Sequence, residues 1–256
     1  MNIFFDYFIY FLKSKSKFGV HSPFVFGFFE SVFSVERSKN SQFLPIEEHR
    51  KKLLKNDEVI VVEDFGTGKQ HRKNTISFIA SNSLMKKKYA EMIANLSSHL
   101  KPKNILELGT SLGVTTLYLS FSNSDSKILT IEGSAEIAKI AKSSFEKFKS
   151  KNIEIVQGNF DDILESRLQK MDSVDMVIFD GNHTKSATIR YFETCLKYIN
   201  NDTVLIFDDI RWSKDMKEAW KQIVQNELTV ITIDLFFMGL VFFRKEQPKE
   251  HFQIRF

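Results

Sequence analysis

Two glycines and two acidic residues are spaced as in a nucleotide-binding turn. An apolar run ends at Glu107 and leads through Gly109 and Gly113 into a helical pattern. Glycine allows a sharp turn beside a ligand and a close approach of the helix, whose free N–H groups face the turn. Glu132 ends the next apolar run about 20 residues after the glycines, where a carboxylate reaches ribose hydroxyls in dinucleotide-type sites. Because Glu107 would repel phosphate, the expected ligand carries a ribose and a positive charge but no pyrophosphate.

Strand and helix patterns alternate from residue 104 onward, which predicts a parallel sheet covered by helices on both faces. Ligands collect at the carboxyl ends of such strands, so we expect Glu107 and Glu132 at one edge of the sheet. Asp180 and Asp208, which end two later runs, should lie at the same edge. The predicted strands are 104–108, 128–132, 153–157, 175–180, 203–208, 229–234 and 238–244, and the helices between them are 113–121, 135–149, 161–169, 185–199 and 213–226.

This order of motifs resembles the class I S-adenosylmethionine (SAM) dependent methyltransferases, and most of all their catechol O-methyltransferase-like branch. Glu107–Gly113 match the family's Glu-Leu-Gly-x-x-x-Gly turn, and Thr130–Glu132 match its Thr-Ile-Glu strand end. Val174–His183 and Thr203–Asp209 resemble the fourth and fifth strand motifs. The resemblance covers residues 104–244. It implies an α/β, Rossmann-like fold whose mostly parallel seven-stranded sheet has an antiparallel last strand, with SAM as cofactor.

The resemblance also implies which residues surround SAM. The glycine turn would enclose the methionine part, Glu132 would bind the ribose, and Asn159 to Asp161 would frame the adenine with Phe160 packed on the purine. A strand-end turn followed by a core aromatic is the alternative for Asn159 and Phe160. The full set implied for the cofactor is Glu107, Gly109, Thr110, Ser111, Gly113, Glu132, Gly133, Asn159, Phe160 and Asp180.

Three carboxylates are candidate ligands of a metal ion. In catechol-type enzymes an acid after the fourth strand and an Asp-Asn pair after the fifth hold a divalent cation, and the matching positions here are Asp180, Asp208 and Asp209. Asp209 replaces the asparagine. Three hard oxygen ligands suit magnesium, manganese or calcium, and we expect magnesium. The alternative is that the paired acids only cap the strand.

His183 lies three residues after Asp180, where the resembled enzymes carry a lysine that accepts the hydroxyl proton. A neutral imidazole, with an ordinary pKa of about 6.5, is suited to that task at cytoplasmic pH. His183 and Asp180 are therefore the predicted catalytic residues. The alternative for His183 is a structural role, either as a cap on the helix that begins near Lys185 or as a hydrogen-bonding residue of the loop.

Residues 1–83 are predicted to form a helical, basic extension, and residues 84–256 the methyltransferase domain. Residues 1–103 carry a net charge of +7 and residues 104–256 a net charge of −3. The lysine runs at 13–17 and 86–88 could contact RNA phosphates or anionic lipid, or could be solvated faces. The helices predicted in this half are 3–13, 23–34, 42–54 and 84–100.

Residues 1–12 are nearly all apolar and aromatic. The stretch is too short to span a bilayer and lacks the features of a signal peptide. It could lie on a membrane surface. We favour packing on the core or on a second subunit, so a homodimer is among the expected states.

A second glycine turn, at residues 59–68, is followed by polar residues and is predicted to be a lid loop or an ordinary surface turn. Cys195 is the only cysteine, so no intramolecular disulfide can form and a cytoplasmic location is expected, with peripheral membrane association left open. The predicted function is transfer of a methyl group from SAM to a hydroxyl of a small molecule. The alternatives are methylation of tRNA or rRNA docked on the basic extension, and SAM binding without turnover.

Overall fold

The computed structural model describes residues 3–16, 19–33, 41–64 and 70–256. Its first part is helical apart from one hairpin. The elements are α1 (Ile3–Lys13), α2 (Pro23–Phe28) with a π-helical continuation at Phe29–Phe33, a 3₁₀ turn at Ser41–Phe43, α3 (Leu44–Leu53), β1 (Val59–Asp64), β2 (Gln70–Thr75), α4 (Ile76–Ser83) and α5 (Lys87–Leu100).

From residue 104 onward strands and helices alternate as predicted. The elements are β3 (Asn104–Leu108), α6 (Val114–Ser122), β4 (Lys127–Glu132), α7 (Ala135–Lys147), β5 (Ile153–Gln157), α8 (Phe160–Met171), β6 (Val174–Phe179), α9 (Lys185–Cys195), β7 (Ile199–Phe207), α10 (Lys214–Gln225), β8 (Ile231–Asp234), β9 (Gly239–Phe242) and β10 (Glu250–Gln253).

Eight strands form one mostly parallel sheet in the order β10-β8-β9-β7-β6-β3-β4-β5. β9 is antiparallel to both β7 and β8, as predicted for the last strand of the resembled fold. The α/β, Rossmann-like class is therefore confirmed. The sheet has one strand more than the predicted seven, because β10 pairs in parallel with β8. The sequence gives little sign of β10, since its four residues carry a short Glu-His-Phe-Gln pattern without an apolar run.

The chain divides into two compact units. One contains residues 1–27 and 164–256, and the other contains residues 28–163. In the second unit, β3, β4 and α6 bury almost all of their side chains, with Leu106 and Leu117 fully enclosed. In the first unit, β6 and the second half of β7 (203–207) do the same, with Val177 and Leu205 fully enclosed. The domain boundary predicted near residue 83 remains a prediction.

The region after residue 58 contains a hairpin and a helix that were not among the predicted elements. β1 and β2 form an antiparallel hairpin with Val59 opposite Thr75, and α4 follows directly, with the Thr75 hydroxyl accepting a hydrogen bond of 3.1 Å from the Phe78 N–H. β2 carries no apolar alternation, so its backbone ladder rather than side-chain burial defines it as a strand. The tip of the predicted lid, residues 65–69, lies outside the described residues.

The predicted start of the second helix is confirmed. Pro23 occupies the first turn of α2, and the Ser22 hydroxyl accepts a hydrogen bond of 3.4 Å from the Val25 N–H. This arrangement suits an N-cap followed by proline. The predicted helix 23–34 is α-helical from Pro23 to Phe28 and continues as a wider π-helix from Phe29 to Phe33.

Gly113 should be one of the least replaceable glycines. Its φ angle is 79°, and a Cβ built there would lie 2.6 Å from Cε1 of Phe145 on α7. We expect Gly113→Ala to lower the free energy of unfolding by roughly 2–4 kcal/mol, because left-handed strain and overpacking add. Urea denaturation measures this. Gly27→Ala is the matched control, since no atom lies within 4 Å of its Cβ position; equal midpoints for the two variants would contradict the steric argument.

Candidate functional site

The glycine turn after β3 is held against the end of β4. The backbone N–H groups of Gly109 and Thr110 both donate to the carbonyl of Ile131, at 3.0 and 3.2 Å. Gly109, Ser111 and Gly113 have φ angles of 104°, 47° and 79°. The turn therefore uses the left-handed region three times, once at a residue with a side chain, and this costs about 1 kcal/mol or more.

Glu132 joins this turn from β4. Its carboxylate accepts hydrogen bonds from the Ser111 N–H at 2.9 Å and from the Ser134 N–H at 3.0 Å. Burial raises the pKa of Glu132, although these backbone N–H groups act in the opposite direction. The Gly133 N–H also acts on the carboxylate, and since its two oxygens offer four acceptor positions, one remains for a hydroxyl donor of a ligand. The structure thus brings Glu132 to the glycine turn, as predicted.

Glu107 lies deeper than its place in the motif suggests. Its side chain is 1% exposed, and its Oε2 accepts hydrogen bonds of 2.6 Å from the hydroxyls of Thr116 on α6 and Thr130 on β4. The Thr110 hydroxyl lies 2.6 Å from that of Thr130 and extends the network to the glycine turn. Burial raises the pKa of Glu107 to about 7, against the lowering effect of the two threonines. Glu107 therefore links β3, β4 and α6 from inside the core.

The sequence analysis missed the two threonines that hold Glu107. Thr130 lies opposite Glu107 in the parallel register of β3 and β4. A polar residue within the apolar run Ile128–Ile131, next to a strand that ends in an acid, was the available sign of such a pair. Thr116 had no comparable sign, because a threonine near a helix start is common.

Asn159 and Phe160 follow β5, next to Glu132. The Gly158 N–H donates to the carbonyl of Glu132 at 2.9 Å, and the Gln157 amide donates to the carbonyl of Gly133 at 3.0 Å. The Asn159 side chain accepts from the Asp161 N–H at 3.2 Å, so it occupies a turn that begins α8. Phe160 is half-buried. Asn159 thus has the local role given above as its alternative, and its adenine contact remains a prediction.

The other unit brings together Asp180 and His183, in the loop between β6 and α9. The Nε2 of His183 lies 3.8 Å from Oδ1 of Asp180, and both side chains are partly buried. Burial lowers the pKa of His183, and the charge of Asp209 opposes this shift. The hydroxyl of Thr184, not His183, accepts the capping hydrogen bond of α9, from the Ala187 N–H at 3.4 Å. His183 is therefore not the helix cap, and its other alternative, a hydrogen bond within the loop, stays a prediction.

The loop around His183 has a defined shape. Asn182 has a φ angle of 51°, and its amide donates to the Tyr191 hydroxyl at 3.1 Å. The Thr184 N–H donates to the Asn182 carbonyl at 2.7 Å. This support from α9, which the sequence analysis did not identify, fixes the backbone on both sides of the imidazole.

Asp208 and Asp209 follow β7 in the same unit. The Asp208 N–H donates to the carbonyl of Phe179 at 3.0 Å and extends the β6–β7 pairing, and Asp209 has a φ angle of 55°. Over residues 3–16, 19–33, 41–64 and 70–256, no three His, Cys, Asp or Glu side chains are grouped so that they could hold a metal ion. The donor set predicted from Asp180, Asp208 and Asp209 therefore does not fit a metal in this arrangement.

We predict a pH-dependent contribution of Glu107 to stability. Its pKa rises from an ordinary 4.5 to about 7 on folding, so the folded state holds a proton that the unfolded state has lost. The stabilisation by this proton is complete below pH 4.5 and is lost as the pH rises through about 7. Relative to Glu107→Gln, the wild type should lose roughly 3 kcal/mol of unfolding free energy over that range.

Urea denaturation at pH 4.5, 6 and 8 measures the difference between the two proteins. Glu136→Gln, on the exposed side of α7, should follow the wild type at every pH. Parallel pH profiles of wild type and Glu107→Gln would show that the carboxyl does not titrate in this range.

Comparison with known proteins agrees with this geometry. A protein-family model described as a methyltransferase domain matches residues 106–210. The chain is 26% identical over 136 residues to O-methyltransferase hkm8 of Aspergillus hancockii, covering 51% of this chain and 53% of the relative. It is 26% identical over 141 residues to catechol O-methyltransferase domain-containing protein 1 of Mus musculus, covering 51% of each. The chain thus spans about half the length of the curated relatives it matches.

A solved structure supports the fold. The O-methyltransferase from Bacillus cereus, determined in complex with SAH, aligns with a TM-score of 0.53 and 22% identity, over 63% of this chain and 83% of that one. At this identity the likeness concerns the fold alone. With the order of the motifs, the match of residues 106–210 to the methyltransferase domain and the two relatives, it supports the resemblance inferred from sequence, to the class I SAM-dependent methyltransferases and their catechol O-methyltransferase-like branch.

Proposed function

We propose that this protein transfers a methyl group from SAM to a hydroxyl of a small-molecule acceptor. The observation that carries the proposal is the hydrogen bond from the Ser111 N–H to the Glu132 carboxylate. This bond holds the carboxylate beside the glycine turn, within the matched methyltransferase segment. Two further facts support it. One relative is named an O-methyltransferase, and a structural neighbour was determined with SAH.

The residues of the glycine turn fit the cofactor by their chemistry. The half-buried carboxylate of Glu132 retains an acceptor position for a ribose hydroxyl, and Gly109 leaves the turn without a side chain. Gly109, Thr110, Ser111 and Gly113 would surround the methionine part, with Glu132 and Gly133 at the ribose and Asn159 and Phe160 at the adenine. When bound, SAM supplies an electrophilic methyl group on a positively charged sulfur.

Glu107 would act on the ligand through the turn. Its carboxyl is enclosed in the core, and the Thr130 and Thr110 hydroxyls lie between it and the turn. A carboxyl whose pKa is about 7 is partly charged at neutral pH, which would add a negative potential beneath the sulfonium.

His183 would take the proton from the acceptor hydroxyl. Because burial lowers the pKa of His183, the imidazole is neutral at pH 7 and can accept a proton. Asp180, with its Oδ1 3.8 Å from Nε2, would stabilise the imidazolium that forms. The metal-assisted form of the reaction, with magnesium on Asp180, Asp208 and Asp209, does not match the arrangement of these acids, so we assign the proton transfer to His183.

The first test is cofactor binding, measured by titration calorimetry with SAM. Glu132→Ala should weaken binding by about 1.5–3 kcal/mol, because a charged acceptor of a ribose hydrogen bond is lost. Gly109→Val should abolish measurable binding, since a β-branched residue does not tolerate a φ angle of 104°. Glu136→Ala, an exposed carboxylate on α7, is the matched control and should bind like the wild type. Wild-type affinity in both site variants would remove the glycine turn as the SAM site.

The second test is turnover, screened with SAM against catechols, other hydroxylated metabolites and bulk RNA. On an accepted substrate, His183→Ala should lower kcat by roughly 100-fold or more while SAM affinity stays unchanged, as expected for loss of a general base. The wild-type rate should fall only below about pH 6.5, because burial lowers the pKa of His183 from its ordinary value of 6.5. His21→Ala, at an exposed histidine, is the control and should retain full activity.

The screen also separates the alternatives. Each assay is repeated in EDTA and after magnesium is restored. Activity that disappears in EDTA and returns with magnesium would assign the acids to a metal and contradict the role given to His183 alone. Methylation of RNA but of no small molecule would favour the nucleic-acid alternative, and SAM binding without any turnover would favour the non-enzymatic one.

A further inference from the structure

Helix α1 presents most of its aromatic side chains outward and its one carboxylate inward. In α1 the side chains of Ile3, Asp6, Ile9 and Tyr10 face the protein, with Tyr10 only 4% exposed. A surface helix of a water-soluble protein normally turns its apolar stripe towards the core and its charged residues towards water. The exposed aromatic face therefore indicates a partner other than water.

Polar contacts fix this orientation. The carboxylate of Asp6 pairs with the ammonium of Lys217 on α10. The Tyr10 hydroxyl donates to the carbonyl of Ile254, just after β10. The Tyr7 ring also meets the Phe236 ring edge-on, with centroids 4.9 Å apart. Rotating the helix to bury its aromatic face would break these contacts and separate the carboxylate of Asp6 from the ammonium of Lys217.

The outward face is large and uninterrupted. Phe4 is 82% exposed, Phe8 is 58% exposed and Leu12 is 68% exposed. Phe5, Tyr7 and Phe11 complete it, and no charged residue interrupts the face between Phe4 and Leu12. A contiguous exposed patch of this kind marks an interaction site.

Basic residues lie at one end of the face. Lys13 is the last residue of α1 and Lys15 follows it, and both are exposed. The guanidinium of Arg255 lies 3.8 Å from the centroid of the Phe11 ring and donates to the Phe11 carbonyl at 3.0 Å. Lys15 and Arg255 are also connected through the backbone, since the Arg255 N–H donates to the Lys15 carbonyl at 3.1 Å. The cations are thus held beside the aromatic face.

We propose that α1 is an interfacial anchor that binds the surface of an anionic lipid bilayer. The aromatic side chains would enter the boundary between headgroups and acyl chains, with Lys13, Lys15 and Arg255 at the lipid phosphates. The helix would lie on the bilayer, since none of the helices in the described ranges is long and apolar enough to cross one. This proposal is independent of the proposed methyl transfer.

The charges beside the face favour lipid over a second copy of the chain. Exposed Lys13, Lys15 and Arg255 border the aromatic face. The one acid of α1, Asp6, is already paired with Lys217 and offers these cations no counter-charge on a second copy of the helix. An anionic bilayer supplies that counter-charge, and binding grows with each inserted side chain and each cation near the surface.

The test is flotation of the full chain with vesicles of phosphatidylcholine alone and of phosphatidylcholine mixed with phosphatidylglycerol. The wild type should float with the mixed vesicles, and less so as salt is raised. Phe4→Ser combined with Phe8→Ser should reduce the partition coefficient about tenfold or more, since two aromatic side chains leave the interface. Lys13→Glu combined with Lys15→Glu should reduce binding to the mixed vesicles only.

Leu228→Ser is the matched control, because this exposed leucine of the same compact unit lies outside α1. It should bind like the wild type. Circular dichroism and SAM binding confirm that each variant is folded. No flotation of the wild type, or equal flotation of wild type and the double phenylalanine variant, would overturn the proposal. A dimer in light scattering that the same phenylalanine variant dissociates, without vesicle binding, would assign the face to a second copy.

Discussion

The buried carboxyl of Glu107 is the interaction around which the glycine turn is built. A carboxyl that is enclosed in the core costs several kcal/mol unless hydrogen bonds compensate it. Here two threonine hydroxyls from different elements, α6 and β4, donate to one oxygen. The network fixes where β3 ends, where α6 begins and how β4 lies beside them. The backbone bonds from Gly109 and Thr110 to Ile131 then complete the turn.

Glu107 and Glu132, which each end a strand in the family motifs, thus have different physical roles. Glu107 is enclosed, and burial raises its pKa to about 7, so it is partly protonated near neutral pH. Glu132 lies at the strand end and uses backbone N–H groups, which favour its charged form against the effect of burial. The first holds elements together and acts on a ligand at a distance. The second retains an acceptor position at the surface of the turn, where contact with a hydroxyl group is direct.

The sequence predicted the elements whose side chains are buried. The strands at 104–108 and 153–157 have the predicted bounds, and helix α1 does as well, because an apolar pattern defines each of them. β2 and β10 were missed because neither carries an apolar pattern of its own, and only the pairing with β1 and with β8 defines them as strands. At the site, spacing located Glu132 and His183. It did not reveal that Thr184 caps α9, or that Asp180, Asp208 and Asp209 are not grouped as metal ligands.

The contacts that hold α1 have a consequence for the order of events during synthesis. The Tyr10 hydroxyl and its acceptor at Ile254 are 244 positions apart in sequence, and the Asp6–Lys217 pair is separated by 211. A chain that emerges from the ribosome in order exposes α1 long before either partner exists. Its aromatic side chains are therefore available to chaperones or to a membrane surface throughout translation. They take up their final position only when the last strand has paired.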